Sequence, residues 1–209
     1  MTPDRPCLNQ YDWGLIARQL DAEGWAMLPG LFPEEMARRL AQAGIDPAWL
    51  SALREDLYRH LLPIARAWTA ALGLDTAFPD DFPSWTQRNH DAGQKRPLSG
   101  LHRLRQDGYQ PLIQHADGAH VFPLQLVALL SAPGLDFTGG EFVMTEQRPR
   151  MQSRPMVLPL GLGDAAVIAV AHRPFQGTRD PYRVTARQAI SQVRTGERLG
   201  LEVLLHDGP

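Results

Sequence analysis

Apolar residues recur at helical spacing through the first part of the chain. Trp13, Ile16, Ala17 and Leu20 share one face, and Gly24 ends the run. A short extended piece over 25–28 follows. Pro33 then opens a second helix with Glu34 and Glu35 in its first turn, where the helix dipole favours negative charge. A third helix begins after Pro47 and carries Leu50, Leu53, Leu57, Leu61 and Ile64 on one face, with Pro63 expected to kink or stop it. Residues 78–97, rich in Asp, Pro, Gln and Asn, have room for one short helix. Beyond Pro97 the period becomes strand-like. Strands are expected over 101–105, 110–116, 120–131, 141–145, 156–159, 165–170, 186–193 and 199–205, each bounded by Gly, Pro or Asp. Eight short strands separated by turn signals predict a barrel or jelly roll.

Composition narrows this picture. The 209 residues suffice for a substantial core, and one domain over 1–209 is expected, with 1–97 mainly helical and 98–209 forming the β core. Lys and Arg total 21 against 23 Asp and Glu, so a formal charge of -2 provides no whole-molecule field for polyanions. The single cysteine, Cys7, excludes an intrachain disulfide and a thiolate metal cluster. The opening MTPDRPCLNQYDW lacks the pattern of a secretory signal, and no stretch reaches the roughly 18 apolar residues of a membrane span. A cytoplasmic protein without a membrane partner is the expectation.

Four segments, in order, resemble one family. DWGLIARQLDAEGWAMLPGLF is similar to the entry helix and first strand of the 2-oxoglutarate/Fe(II)-dependent oxygenases. RLRQDGYQPLIQHADGAHVFPLQLVALLS stands where they carry a tyrosine-containing strand and a metal-binding His-x-Asp. DFTGGEFVMTE resembles the Gly-Gly-Glu strand of prolyl-hydroxylase-like members. GDAAVIAVAHRPFQGTRDPYRVTARQAISQVRTGERLGLEVLLHD resembles the closing strands, which supply a second histidine and a co-substrate arginine. The resemblance implies an α+β fold, a double-stranded β-helix (jelly-roll) barrel with N-terminal helices packed on it. It also implies Fe(II) and 2-oxoglutarate as cofactors, a small-molecule co-substrate, and oxidative hydroxylation or demethylation. HVFPLQ and TGGEF look like a bacterial subgroup linked with oxidative repair of alkylated nucleic acid. A nucleic-acid partner follows only by that analogy, since no motif here reads a base.

Such enzymes hold iron by two imidazoles and one carboxylate. His115-Ala116-Asp117 has the His-x-Asp spelling, and residues two apart on a strand share a face. Laid on this chain without a gap, between Tyr109 and His120-Val121-Phe122-Pro123, the family pattern instead puts its His and Asp on Ile113 and His115. That displacement is roughly 7 Å along a strand, against a tolerance of about 0.2 Å for metal ligands. Either the register slips, with a bulge, or the iron site is damaged. The slot of the distal histidine holds Gln188, whose carbonyl oxygen is a poorer ligand for iron. The candidate ligands are therefore His115, Asp117 and Gln188.

Arg198, following Gly196, occupies the position that in the family binds the far carboxylate of 2-oxoglutarate, and Tyr109 matches a tyrosine that contacts the same molecule. Against these stand a solvated hairpin arginine and a core tyrosine. His172 is a possible substitute for the missing distal ligand, and Glu141 a turn-flanking carboxylate. His60, His90, His102 and His206 have no paired spacing and receive no role. Between the second and third helices, AQAGIDPAWL is shorter than the insertion that in related sequences helps cover the barrel mouth. Three functions stay open. They are an oxygenase with a shifted ligand register, a metal-poor barrel binding a carboxylate or other anion at Arg198, and a protein holding a different divalent ion on His115, Asp117 and His172.

Overall fold

The computed structural model describes residues 5–149, 151–177 and 180–209. Thr178 and Arg179 of the closing segment lie outside them.

The N-terminal helices form where the pattern places them, each with a side-chain or proline start. Asp12 caps α1 (Trp13–Glu23) by accepting from the Leu15 N–H, and Gly24 ends it. Pro33 precedes α2 (Glu34–Ala43). Asp46 caps α3 (Pro47–Ala71) through the Trp49 N–H, and Asp81 caps α4 (Phe82–Asp91) through the Ser84 N–H.

Pro63 does not stop α3, which runs through it to Ala71. An interior proline costs about 3 kcal/mol. Leu61, Leu62, Ile64, Ala65 and Trp68 are all buried around it, and each large apolar side chain contributes about 1.5–3 kcal/mol on burial. Packing on both flanks therefore outweighs the lost backbone hydrogen bond.

Two antiparallel sheets face each other and enclose a lumen, giving the expected double-stranded β-helix. The major sheet has the order β1 (Trp25–Leu28), β8 (Ala165–Ala169), β4 (Leu124–Leu129), β11 (Val193–Leu204), β2 (Gly100–Arg105), with β5 (Phe137–Gly139) also on β11. The minor sheet has the order β3 (Gln110–Ile113), β10 (Pro181–Ile190), β6 (Phe142–Gln147), β7 (Arg154–Leu158), with β9 (His172–Gln176) also on β10. Strands β4 and β8 are buried along their whole length. Sandwiched strands of this kind read as unbroken apolar runs rather than as alternation. α1 packs against β1, β8 and β9, and α3 against α4 and β9.

Several boundaries differ from the pattern. β3 ends at Ile113 rather than 116, because the Gln114 side chain turns inward to donate to the carbonyls of Ala171 and Ala186. β4 starts only after Pro123, which has no N–H to give a ladder. β5 and β9 were not foreseen; β5 has three residues, and β9 contains Pro174, tolerable because β9 pairs only with β10. Among the described residues no helix is long and apolar enough to cross a membrane.

Candidate functional site

The site forms where the lumen faces of β3, β10 and β11 meet. Pairing of β10 with β3 sets Gln188 directly opposite Ile113, and the register shifts between Gln188 and Ile190, where Ile190 meets Gln110. A β-bulge is therefore present, yet it leaves Ile113, not His115, across from Gln188. Gln188 is 2 % exposed. Its Oε1 accepts from Gln125 Nε2 of the opposing sheet, and its Nε2 lies 3.5 Å from Glu202 Oε1.

On β11, Arg198, Gly200 and Glu202 fall two apart and so share the lumen face. Two glycines seat the arginine between them. A Cβ at Gly200 would lie 2.8 Å from Arg198 Nη1, and one at Gly140, whose φ is 65°, would lie 3.0 Å from Arg198 Cδ. Neither position admits a side chain without moving the guanidinium.

Glu202 is buried and draws in four side chains, His115, His102, Gln188 and Gln110. Its Oε2 is 3.1 Å from His115 Nε2 and 3.5 Å from His102 Nε2, while Oε1 faces Gln188. Burial pushes this carboxyl up, but the His115 hydrogen bond, the two imidazoles and a hydrogen bond from Gln110 outweigh it and leave the carboxyl below its ordinary range. The lumen thus contains a carboxylate with its own donors.

Arg198 is equally buried and differently served. It is 2 % exposed, and its Nε donates to the Gly140 carbonyl at 2.8 Å. Among the described residues it makes no ion pair. Burial lowers its pKa to about 10, with Glu202 pulling the other way, so the guanidinium stays charged at neutral pH. It lines a cleft of about 370 Å³ whose walls include Leu129, Phe137, Phe142, Leu158 and Leu160.

Other candidates fall elsewhere. Asp117 is exposed in the loop after β3. The alternation that would have put it beside His115 on a strand face ended at Ile113. His115, Asp117, His102 and Arg96 line a second cleft of about 280 Å³. Tyr109 is 64 % exposed at the mouth of β3, so its ring lies in solvent and not in the lumen. His172 sits on β9 with Nδ1 3.4 Å from Thr185 Oγ1 and lines a separate apolar cavity against Trp68 and Leu72. It does not join His115. Glu141 is exposed and hydrogen-bonded to the Ser191 hydroxyl, which holds its carboxyl below the usual range.

Sequence spacing missed Glu202, Gln125, His102 and His206. The signal for Glu202 was an acidic residue inside the apolar run LGLEVLLHD, four positions after Arg198 with a glycine between. His206 is fully satisfied as a neutral ring, since Nδ1 accepts from the Phe122 N–H at 3.3 Å and Nε2 meets the His115 carbonyl at 2.8 Å. Burial lowers its pKa to about 4.

The three slots of the family pattern do not by themselves supply a ferrous ion's ligand set. Of the three slots implied by the family pattern, Ile113 offers no donor atom, and both His115 and Gln188 face Glu202. Gln188 Oε1 is further occupied by Gln125. Among the described residues no group of three or more His, Cys, Asp or Glu is placed to hold a metal, and His172 lines a different cavity from His115 and Asp117.

Residues 42–208 match the family Oxygenase-NA, described as "Oxygenase, catalysing oxidative methylation of damaged DNA". Uncharacterised proteins from two Mycobacterium tuberculosis strains, CDC 1551 and H37Rv, are each 38% identical over 184 residues, spanning 86% of this chain and 78% of theirs. A Burkholderia pseudomallei oxidoreductase of the 2OG-Fe(II) oxygenase family superposes with a TM-score of 0.55 at 18% identity, covering 96% of this chain and 94% of that one. A Pseudomonas putida prolyl-4-hydroxylase gives a TM-score of 0.50 at 13% identity, covering 96% and 97%. Those two likenesses concern the fold, whereas the sequence match extends through the strands that carry Gln188, Arg198 and Glu202. The chain belongs to the Oxygenase-NA family of the 2-oxoglutarate/Fe(II) oxygenase fold.

Proposed function

We propose that this chain is a member of the oxygenase family that works without iron, as a barrel binding a carboxylate or related anion at Arg198. The carrying observation is Glu202, whose carboxylate bridges His115 and Gln188, two of the three slots that the family pattern assigns to metal ligands. Glu202 takes up His115 and Gln188 as hydrogen-bond partners, and the third slot holds the alkyl side chain of Ile113. Arg198, four residues away, keeps its charge and has no carboxylate partner among the described residues. A buried cation with no carboxylate within ion-pair distance among the described residues, offset only by the field of Glu202, is costly, so binding an anion relieves that cost. The family's oxidative chemistry needs Fe(II) and 2-oxoglutarate together; on this reading the lumen offers the seat for an acid alone.

Anaerobic titration of the purified protein with Fe(II) and 2-oxoglutarate tests the reading. The expected result is no visible charge-transfer band and no succinate on admitting oxygen. A band accompanied by succinate release overturns it. Calorimetry without metal should show an anion binding to the parent protein, and Arg198→Ala should lose that binding by at least tenfold.

A further inference from the structure

A cavity of about 220 Å³ lies where the end of α3 meets the loop between β3 and β4 and the corner between β8 and β9. The helix end is fixed by its own backbone. Gly73, with φ 65°, turns the chain, its N–H donates to the Ala70 carbonyl, and the Leu74 N–H donates to that of Thr69. This closing turn holds Leu74 on the cavity wall, where it is 47 % exposed. Trp68 and Val121 add apolar surface, and the short side chains of Ala116 and Ala171 leave the space between them open.

Most polar groups on these walls are already used. The Trp68 indole N–H donates to Asp21 at 2.7 Å, and the Thr69 hydroxyl is taken up by the Ala65 and Arg66 carbonyls. The lining contains no Lys, Arg, Asp or Glu. It does contain His172, whose ring burial holds below the usual imidazole pKa, with Arg183 adding to the effect, so that it is uncharged at neutral pH. Its Nδ1 lies 3.4 Å from the Thr185 hydroxyl, and an uncharged imidazole keeps one donor and one acceptor nitrogen. A charged molecule entering here loses hydration without gaining a counter-ion. The volume exceeds the roughly 150 Å³ of a dry cavity that takes up benzene and is below the roughly 300 Å³ at which drug-sized sites begin. We propose that this cavity is a second binding site, for an uncharged single-ring aromatic molecule with one polar substituent, of the phenol class. The ring lies among Trp68, Leu74 and Val121, and the hydroxyl hydrogen-bonds to His172. The site shares no wall residue with the Arg198 cleft and does not depend on the anion-binding reading.

Calorimetry and ligand-observed NMR on the full chain compare phenol, toluene and benzylammonium. Phenol should bind saturably and about three- to tenfold tighter than toluene, the worth of one hydrogen bond, with benzylammonium at least tenfold weaker than phenol. Ala116→Phe, which fills the cavity from a loop, should abolish phenol binding. Leu74→Asp, at an exposed position, should weaken it at least tenfold and keeps the test decisive where Ala116→Phe fails to fold. His172→Phe should bring phenol and toluene to parity. The proposal is overturned if the folded parent shows no saturable phenol binding, if that binding survives both wall variants, if benzylammonium competes equally, or if the preference for phenol persists in His172→Phe.

Discussion

Two arginines are buried to the same degree in this molecule and do opposite things. Arg173 on β9 is fully enclosed, pairs with Glu146 through Nε, and donates to the carbonyls of Asp21 and Ala22 at the end of α1. Arg198 on β11 is 2 % exposed, donates to one carbonyl, and faces a cleft. The first charge is used up in joining the N-terminal helix to the minor sheet. The second is held by two glycines and, among the described residues, has no carboxylate within ion-pair distance. Burial alone therefore says little about an arginine's role; the accounting of its donors decides it.

Breaking the Arg173 pair should have the largest effect. Arg173→Ala leaves Glu146 as an unpaired carboxylate in a dry interior, an expected loss of about 3–5 kcal/mol in denaturant unfolding. A loss under about 1 kcal/mol would remove the contrast with Arg198.

Acidification probes a third buried base. His206 has a folded pKa of about 4 against 6.5 when unfolded. The unfolded chain therefore takes up the proton first. Stability from this group is complete above pH 6.5 and is lost as pH falls towards 4, by about 3 kcal/mol in all. Glu202, with its lowered carboxyl, contributes in the same sense below its unfolded value. Unfolding midpoints measured from pH 7 to pH 4 should fall steeply, and His206→Gln should flatten the slope between pH 6.5 and 4. Unlike His206, Arg198 cannot escape its burial by giving up its proton near neutrality.

Arg198→Leu should have the smallest effect on stability, within about 1 kcal/mol, because an apolar side chain there removes a desolvated charge at the cost of one hydrogen bond to Gly140. Unfolding in denaturant checks this. A loss as large as that for Arg173→Ala would show that Arg198 is structural and would undercut its role as an anion seat.

Much of the architecture was legible along the chain. The strands after Pro97 announced themselves through alternation and turn residues, and helix starts through Asp12, Pro33 and Pro47. The segments with weak signals were those whose existence depends on neighbours. β5 is three residues long and has its ladder on β11, and β9 survives a proline because among the described residues its ladder is with β10 alone. At the site, the family resemblance singled out Ile113, Gln188 and Arg198. It did not find that the His115–Asp117 spelling falls past the strand end, where the period of two no longer applies.

What the sequence determined by itself was local: which stretches extend or coil, which slots hold a donor atom, and that Ile113 holds none. What only the tertiary structure decided was which charges meet. Glu202 reads as an odd acid in an apolar strand until the two sheets close, bringing His115, His102 and Gln188 from three other chain segments to its carboxylate. Periodicity reports a side chain's face, whereas electrostatic partnership depends on distances between segments more than 80 residues apart, such as His115 and Glu202. Among the described residues the same closure gives Arg198 no ion pair of this kind, and that difference underlies the function proposed for this barrel.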